Sequence, residues 1–250
     1  MGQAHLGRTR VRSVQGRPTL VSVIVPTLNE ASHITSALAA ARRDYPSDEV
    51  EIIVVDGGST DGTAGRVPDS ERVLSCPPGR ARQMNRGAAA ASGDSLVFCH
   101  ADTKLPPGWR AAVVRALSGP GVSGGSFRIR LEPARGVLHL LNGLRYPADW
   151  RLMYGDQAQF TWRAAFDRVG GFPDIPVMED LELMRRLSGV GKLVRVPLSV
   201  VSSSRRFLER GPLRQFALDV TLVLRYLYLG AEPEALAEAY YGSTKGGEGP

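Results

Sequence analysis

Two apolar runs, each followed at once by a polar loop, stand out in the first quarter of the chain. VSVIVPTLNE (21–30) and EIIVVDGGSTDGT (51–63) start with β-branched residues and end in Pro, Gly, Asn, Asp, Ser and Thr. The runs are too continuously apolar for strands with one solvated face, so they predict strands covered on both sides in a parallel sheet. Because ligands bind beyond the carboxyl ends of such strands, the loops predict a binding crevice.

Strand and helix signals alternate through the first half of the chain. The predicted elements are a strand at 20–26, a helix at about 30–43, a strand at 50–56, a helix at about 60–67, a strand at 71–75, a helix at 79–93, a strand at 95–102 and a helix after Pro106 and Pro107. Proline suits the first turn of a helix. This rhythm predicts one doubly wound βα half.

The pattern of apolar and polar residues changes at residue 119. The second half predicts a strand within GPGVSGGSFRIRLE, a helix from Val137, a strand at 158–162, a helix around MEDLELMRRL, a strand KLVRVPLSVVSSS that runs up to Arg205 and Arg206, and two closing helices. We therefore expect one compact domain of two lobes. Its predicted parts are a disordered basic tail (1–18), a nucleotide-binding half (about 19–118), an acceptor half (about 119–242) and a flexible tail (243–250).

The composition of the 250 residues, 43% hydrophobic and 22% charged, predicts a globular protein and excludes disorder for most of the chain. The formal charge is +6, but four arginines precede the first predicted strand with no acid before Glu30. Removing those four leaves +2, too little for the basic stripe of a nucleic-acid surface. We expect a solvated basic tail and no nucleic-acid partner, with contact to anionic lipid as an alternative.

Neither the cysteines nor the apolar runs point to an extracellular or membrane-spanning protein. Cys99 lies in an apolar strand and Cys76 is the other of only two cysteines, so disulfide chemistry is not expected. The basic N-terminus has no apolar segment behind it, and no run reaches the roughly 18 to 20 apolar residues of a membrane span. The predicted location is cytoplasmic, with peripheral contact to the cytoplasmic face of a membrane as an alternative.

Six motifs follow one another along the chain: PTLNE, VVDGGSTDGT, GRARQMNRGAA, FCHADT, GGFPD and MED. Together they resemble family 2 glycosyltransferases over about residues 20–207, and with GDQ and SSRRF they look like a poorly characterised bacterial branch of that family. The resemblance implies the α/β GT-A (Rossmann-like) fold, a mixed, mostly parallel sheet flanked by helices, with further C-terminal helices. It also implies a hexosyltransferase-type activity.

The resemblance implies that the loops after the first two strands hold the nucleoside. The residues expected to line the base and ribose are Pro26, Thr27, Asn29, Glu30 and Asp56. The local alternative for DGGSTDGT is turn and helix-cap chemistry, which we favour for Ser59 and Asp61.

For the diphosphate or the ribose, the resemblance points to the start of the third helix, where free backbone N–H groups favour anions and guanidinium groups match phosphate oxygens. The expected contacts are Arg80, Arg82 and Asn85, with Ala101 beside the donor and Arg205 and Arg206 as further cations. A solvated basic face is the alternative for the helical arginines, and stacking or a surface ion pair for the last two.

Asp102 stands where the family's Asp-x-Asp motif places its last carboxylate, which implies a Mg2+ or Mn2+ ion bridging the diphosphate. The first aspartate of that motif is replaced by His100. Since Mg2+ prefers oxygen ligands, this change bears on the choice of metal. The alternatives are a helix cap for Asp102 and a core or sugar contact for His100.

In inverting relatives the general base is the aspartate of a Glu-Asp pair, so the resemblance implies that Asp180 is the base here and that Glu179 beside it contacts the substrate. A carboxylate within hydrogen-bond reach of the acceptor hydroxyl provides such catalysis. The alternative is that both acids complement the dipole of a helix N-terminus. The neighbouring GDQ is expected to face the acceptor, with no role assigned to Asp156.

The resulting hypothesis is transfer of a sugar from a nucleoside diphosphate sugar, UDP- or GDP-linked, to a hydroxyl acceptor, with lipid-linked acceptors among the candidates. The alternatives are a nucleotidyltransferase and a non-catalytic nucleotide-sugar binding protein. A dehydrogenase is excluded because no G-x-G-x-x-G follows the first strand. Helix 216–229 is expected to pack into the core, with a membrane-surface helix as the second interpretation.

Overall fold

The computed structural model describes residues 20–43, 45–143 and 147–242. The tails predicted at 1–18 and 243–250 lie outside the described residues. The strands are β1 (Val21–Thr27), β2 (Val50–Asp56), β3 (Arg72–Ser75), β4 (Ser95–Phe98), β5 (Thr103–Lys104), β6 (Val122–Glu132), β7 (Gln159–Trp162) and β8 (Lys192–Ser203). The helices are α1 (Ile34–Arg42), α2 (Arg80–Ala90), α3 (Trp109–Leu117), α4 (Val137–Gly143), α5 (Arg163–Arg168), α6 (Glu179–Val190), α7 (Arg205–Arg210), α8 (Pro212–Leu229) and α9 (Pro233–Tyr241).

All the strands belong to one sheet, in the order β3-β2-β1-β4-β7-β6-β8-β5. Pairing is parallel from β3 to β4 and between β6 and β8, and antiparallel for β4–β7, β7–β6 and β8–β5. The predicted mixed α/β sheet is confirmed, with its parallel pairs concentrated in the first half. Since β1 pairs with β2 in register from Val21↔Val50 to Thr27↔Asp56, the two strands end side by side and their polar loops leave from the same edge.

The first two strands are covered on both faces, as their unbroken apolar runs predict. Val23 and Val25 pack with residues of α1 and α3, whereas Ile24 between them packs with residues of α2 and α6. Alternate side chains of a strand point to opposite faces, so this division places helices on both sides of the sheet. A Cβ on Gly87 would lie 2.4 Å from Ile24 Cγ2, and glycine there lets α2 approach β1 closely.

Four predicted elements need correction. The helix expected at 60–67 is only a 3-10 turn at Ala64–Arg66, because Gly62, Gly65 and Pro68 interrupt it. The strand expected at 95–102 ends at Phe98, since the backbone turns where Thr103 N–H donates to His100 O at 3.0 Å.

At the C-terminal end, the strand predicted to reach Arg205 and Arg206 ends at Ser203, and both arginines start α7. Three helices follow it where two were predicted. α8 and α9 pack together through a small core of Val177, Leu222 and Leu236. In the described part of the chain no helix is both long and apolar enough to cross a bilayer.

Candidate active site

The loops that follow β1 and β2 are held together by hydrogen bonds between side chains and backbone. Asn29 N–H donates to Ser59 Oγ at 2.9 Å, and Asn29 Oδ1 accepts from Thr60 N–H at 2.9 Å. Ala31 N–H donates to Asp61 Oδ2 at 2.9 Å. Asn29 has a φ of 55°, a left-handed conformation that asparagine tolerates better than most residues. Ser59 and Asp61 thus have the structural role that we favoured, and the loops form one preorganised wall.

Asp56 ends β2 at the base of this wall. Its carboxylate accepts hydrogen bonds from Gly58 N–H at 3.1 Å, Ser59 N–H at 3.0 Å and Ser59 Oγ at 2.5 Å. These bonds fix the turn after β2, which is the turn-forming role given above as the alternative for DGGSTDGT. Its contact with the nucleoside stays a prediction, as do those of Pro26 and Thr27 beside it on β1.

Gln83 of α2 is a structural residue of the site that the sequence did not reveal. Its Nε2 donates to Thr27 O at 2.9 Å and to Val55 O at 2.8 Å, which joins the ends of β1 and β2. A Cβ on Gly57 would lie 3.1 Å from this Nε2. The available signal was a glutamine on the same helical face as Met84 and Gly87, two positions that pack on the sheet.

Glu30 connects the first loop with the C-terminal half. Its Oε1 lies 3.3 Å from Arg205 Nη2, and its Oε2 lies 3.0 Å from His33 Nδ1. Burial raises the pKa of Glu30, and the negative charge of Asp102 raises it further. Glu30, Asp102 and Arg205, which are distant in sequence, therefore face one space.

Asp102 and His100 lie in the turn after β4. Burial, followed by repulsion from Arg80, lowers the pKa of His100 to about 4, against the attraction of Asp102 and Asp180. The imidazole is therefore neutral at pH 7. A Cβ on Gly155 would lie 3.0 Å from His100 Nε2 and 3.3 Å from Asp180 Oδ2, so both side chains reach the same point.

Asp180 is held in the first turn of α6 by backbone amides. Its Oδ2 accepts from Gly155 N–H at 2.6 Å and its Oδ1 accepts from Leu181 N–H at 2.7 Å. Both carboxylate oxygens thus accept from backbone amides, and the residue lies at the positive end of the helix dipole. This geometry gives Asp180 a fixed position from which it can accept a proton.

Its neighbour Glu179 forms a buried ion pair with Arg80, and its expected contact with substrate stays a prediction. Arg80 Nε lies 2.9 Å from Glu179 Oε1, and the glutamate side chain is 2% exposed. Burial raises the pKa of Glu179 to about 7, although the guanidinium opposes this rise. Glu179 in turn raises the pKa of Arg80, which stays charged. The pair fastens the start of α2 to the start of α6 and leaves Arg80 about one third exposed.

Arg82 and Asn85 have protein partners. Arg82 Nε lies 2.9 Å from Asp174 Oδ1 in an exposed ion pair. Asn85 Nδ2 donates to Phe172 O at 2.8 Å, and its Oδ1 accepts from Phe172 N–H at 3.0 Å. Asn85 thereby braces the GGF turn that leads towards α6. Their predicted contacts with substrate stay predictions.

Two further groups complete the surroundings of Asp102. Arg206 Nη1 donates to Tyr240 Oη at 2.6 Å, so α9 holds this arginine. The Oδ1 of Asp156 is buried and has no hydrogen-bond partner within the described residues. Burial, and then repulsion from Asp180 and Asp102, raises the pKa of Asp156 to about 7. Asp156, to which we assigned no role, thus belongs to the same acidic group.

The donor atoms around Asp102 suit a divalent cation that is completed by its substrate. Within the described ranges there is no group of three His, Cys, Asp or Glu side chains arranged to hold an ion alone. Mg2+ is commonly bound by one or two carboxylates together with substrate phosphates and water. Asp102 repels both Glu30 and Asp156, and such a cation would relieve this excess of negative charge. The residues present fit a cation of this kind.

The predicted carboxylates divide into two groups at one edge of the sheet. Asp102 and Asp180 act together on His100 and Asp156, while Asp56 stands at the end of β2. Strand β1 lies between β2 and β4, so these two strands run two spacings, about 10 Å, apart. The edge thus offers one wall of loops and, beside it, an acidic pocket with Arg80 and Arg206.

Comparisons with known proteins identify relatives of this arrangement. A family model described as glycosyl transferase family 2 matches residues 22–172. An uncharacterized glycosyltransferase of Mycobacterium tuberculosis is 32% identical over 189 residues, 70% of this chain and 71% of that protein.

Solved structures resemble the chain over most of its length. Glucosyl-3-phosphoglycerate synthase from Mycobacterium tuberculosis, in complex with Mn2+, UDP and glucosyl-3-phosphoglycerate, is 26% identical with a TM-score of 0.57 over 83% of this chain and 79% of that chain. The mannosyltransferase PcManGT from Pyrobaculum calidifontis, in complex with GDP-Man and Mn2+, is 22% identical with a TM-score of 0.62 over 97% and 68%. These similarities confirm the predicted GT-A fold.

Proposed function

This chain belongs to glycosyl transferase family 2 and is a glycosyltransferase, and we propose that it transfers a sugar from a nucleoside diphosphate sugar to a hydroxyl acceptor with inversion. The observation that carries this proposal is the position of Asp180. Its carboxylate is fixed by two amides at a helix N-terminus and shares its surroundings with Asp102, 78 positions away in the sequence.

The donor occupies the carboxyl edge of the sheet in this proposal. The loop wall that contains Asn29 and Glu30 receives the nucleoside, with Asp56 beneath it, and Ala101 lines the way to the diphosphate. UDP and GDP are the nucleotides named for the two solved relatives, and we propose one of them as the leaving group here.

Asp102 is the residue proposed to hold Mg2+ or Mn2+ against the diphosphate. When bound, the ion would screen the negative charge of the departing nucleoside diphosphate. The neutral imidazole of His100 beside Asp102 adds no positive charge at pH 7. Arg80, kept charged by Glu179, and Arg206 supply fixed cations on the side of α2 and α7. Arg205, paired with Glu30, is a further one.

Asp180 is the proposed general base. The acceptor oxygen forms a bond to the anomeric carbon while the bond between that carbon and the diphosphate oxygen breaks. The acceptor proton passes to the Asp180 carboxylate, and the electron pair of the broken bond leaves with the nucleoside diphosphate. Because attack comes from the face opposite the leaving group, the anomeric centre inverts.

Two other interpretations are disfavoured. A nucleotidyltransferase shares the nucleotide-binding half but does not require a general base on α6. In addition, PTLNE is not a Gly-rich phosphate loop with a lysine. A binding-only protein has no use for a fixed carboxylate beside the acidic pocket. The acceptor, the cytoplasmic location and a bacterial origin stay predictions.

A thermal-shift screen followed by a transfer assay tests the proposal. UDP-, GDP-, dTDP- and CDP-sugars are each added with Mn2+, and the expected result is a rise in Tm with a UDP- or GDP-sugar. The donor identified in this way is then tested for release of its nucleoside diphosphate in the presence of candidate hydroxyl acceptors. Failure of all four donors to raise the Tm contradicts the proposal.

A further inference from the structure

Helix α8 exposes a row of large apolar side chains along its length. The exposed fractions are 69% for Leu213, 41% for Phe216, 41% for Val220, 48% for Leu224 and 65% for Tyr228. Successive members are three or four residues apart, so they lie on one face of the helix. We call this set the α8 row. Isolated exposed apolar residues are ordinary, whereas contiguous apolar patches of a few hundred Å² are often functional surfaces.

The opposite side of α8 already serves the fold. Gln215 and Leu222 are its buried residues, and Leu222 packs with Val177 and with Leu236 of α9. Asp219 is half-buried and accepts a hydrogen bond from Gln215 Nε2 at 2.7 Å. The α8 row is therefore the face that the rest of the described chain leaves uncovered.

Positive charge borders this row. Within α8, all of which is described, Arg214 and Arg225 are exposed, and Asp219 is the helix's sole acidic residue. Helix α4 packs against α8, and its Leu140 is 73% exposed. Arg135, just before the start of α4, is also exposed. The exposed acids nearest in sequence, Glu209 and Glu232, lie beyond the two ends of α8.

The size of the row argues against a second copy of the chain as its partner. Eighteen residues at about 1.5 Å each make a helix about 27 Å long, and a strip about 10 Å wide then covers about 270 Å². A stable protein interface buries about 800 Å² on each partner. An amphipathic helix that lies in a bilayer surface needs only to sink its apolar side about 5 to 10 Å, with basic residues at the headgroups.

We propose that α8 binds the surface of an anionic lipid bilayer, with the α8 row inserted among the acyl chains and Arg214 and Arg225 at the headgroups. The same end of the molecule holds the acidic pocket. The negative charge of Asp219 in α8 acts on Asp156 of the pocket, and Tyr240 of α9 accepts a hydrogen bond from Arg206 of the pocket. Docking on α8 thus brings the acceptor side of the site to the membrane. This inference goes beyond the proposed chemistry and does not depend on it.

Vesicle flotation of the full chain tests the inference with phosphatidylcholine vesicles and with phosphatidylcholine mixed with phosphatidylglycerol. The wild type is expected to float with the anionic vesicles. The triple variant Phe216→Ser, Val220→Ser and Leu224→Ser is expected to partition at least tenfold more weakly, since each buried methylene contributes about 0.8 kcal/mol. Val73→Ser on the edge strand β3 is the matched control, because Val73 is 41% exposed, like Val220. It is expected to float like the wild type.

A second variant guards against misfolding of the first. Arg214→Gln with Arg225→Gln changes only exposed side chains and is expected to reduce flotation with anionic vesicles several-fold. The inference is overturned if the wild type floats with neither vesicle, or if the folded triple variant floats like the wild type, since the basic N-terminal tail then suffices. It is also overturned if the wild type is a dimer in solution that the triple variant dissociates, without any flotation.

Discussion

Replacing Asp180 with asparagine tests the proposed base with little change in shape. The amide keeps one acceptor oxygen but cannot take a proton from the acceptor. General-base catalysis contributes about 10²- to 10⁴-fold, so we expect the rate of transfer to fall by that factor. This corresponds to about 3 to 5 kcal/mol of lost transition-state stabilisation.

The structure also predicts the cost of this change for stability. The two Asp180 oxygens accept from Gly155 N–H and Leu181 N–H, and asparagine can serve only one of them. An amide left without an acceptor costs about 1 to 3 kcal/mol. For a chain of this size that lowers the Tm by about 2 to 12 °C, so the fold persists at an assay temperature well below the transition.

The assay measures release of nucleoside diphosphate from the donor that the thermal-shift screen identifies, and calorimetry measures nucleotide binding to the same preparations. Asp69→Asn is the control, because Asp69 is exposed in the turn before β3 and lies in none of the motifs of the site, and we expect it to leave the rate unchanged. A folded Asp180→Asn enzyme with wild-type turnover would remove Asp180 from the mechanism. Loss of nucleotide binding together with turnover would instead assign Asp180 to the donor site.

Two further changes test packing and electrostatics. Gly87→Ala places a Cβ 2.4 Å from Ile24 Cγ2 and should lower the free energy of unfolding by about 1 to 3 kcal/mol in urea titrations, whereas Gly189→Ala, in open space on α6, should raise it by about 0.5 to 1 kcal/mol. Equal effects would refute the packing argument. Because the folded-state pKa of Asp156 is raised from 3.8 to about 7, folding disfavours its ionised form, and this cost grows as the pH rises between those values. Asp156→Asn should therefore raise the Tm relative to the wild type, by an amount that increases from pH 4 to pH 7 and then levels off; a pH-independent difference would contradict the shift.

The elements that the sequence predicted well are those fixed by local patterns. The apolar runs at 21–27 and 50–56 predict strands that are covered on both faces, and both strands are confirmed. The strand after Ser95 was predicted too long because FCHADT contains neither glycine nor proline to mark the turn at His100. Helix α7, which begins at Arg205, was not predicted because no local sequence signal marks its start.

The site was predictable as a group of motifs but less so residue by residue. Asn85 and Arg82 bond to Phe172 and Asp174, about 90 positions away, and such pairing cannot be read from helix periodicity. Gln83 was not predicted because its role depends on the fold, which brings the ends of the two strands that it bridges within reach of its side chain. Asp156 has its raised pKa because the fold buries its carboxyl group and brings Asp180 and Asp102 near it.

In the mechanism that we propose, carboxylates from distant parts of the chain surround one sugar diphosphate together with a divalent cation. Calorimetric titration of the identified donor, with and without Mn2+, tests this arrangement in the wild type and in Asp102→Ala. We expect Mn2+ to tighten binding at least tenfold in the wild type and to have little effect in Asp102→Ala. Equal affinity with and without Mn2+ in the wild type, or full enhancement in the variant, would contradict the account.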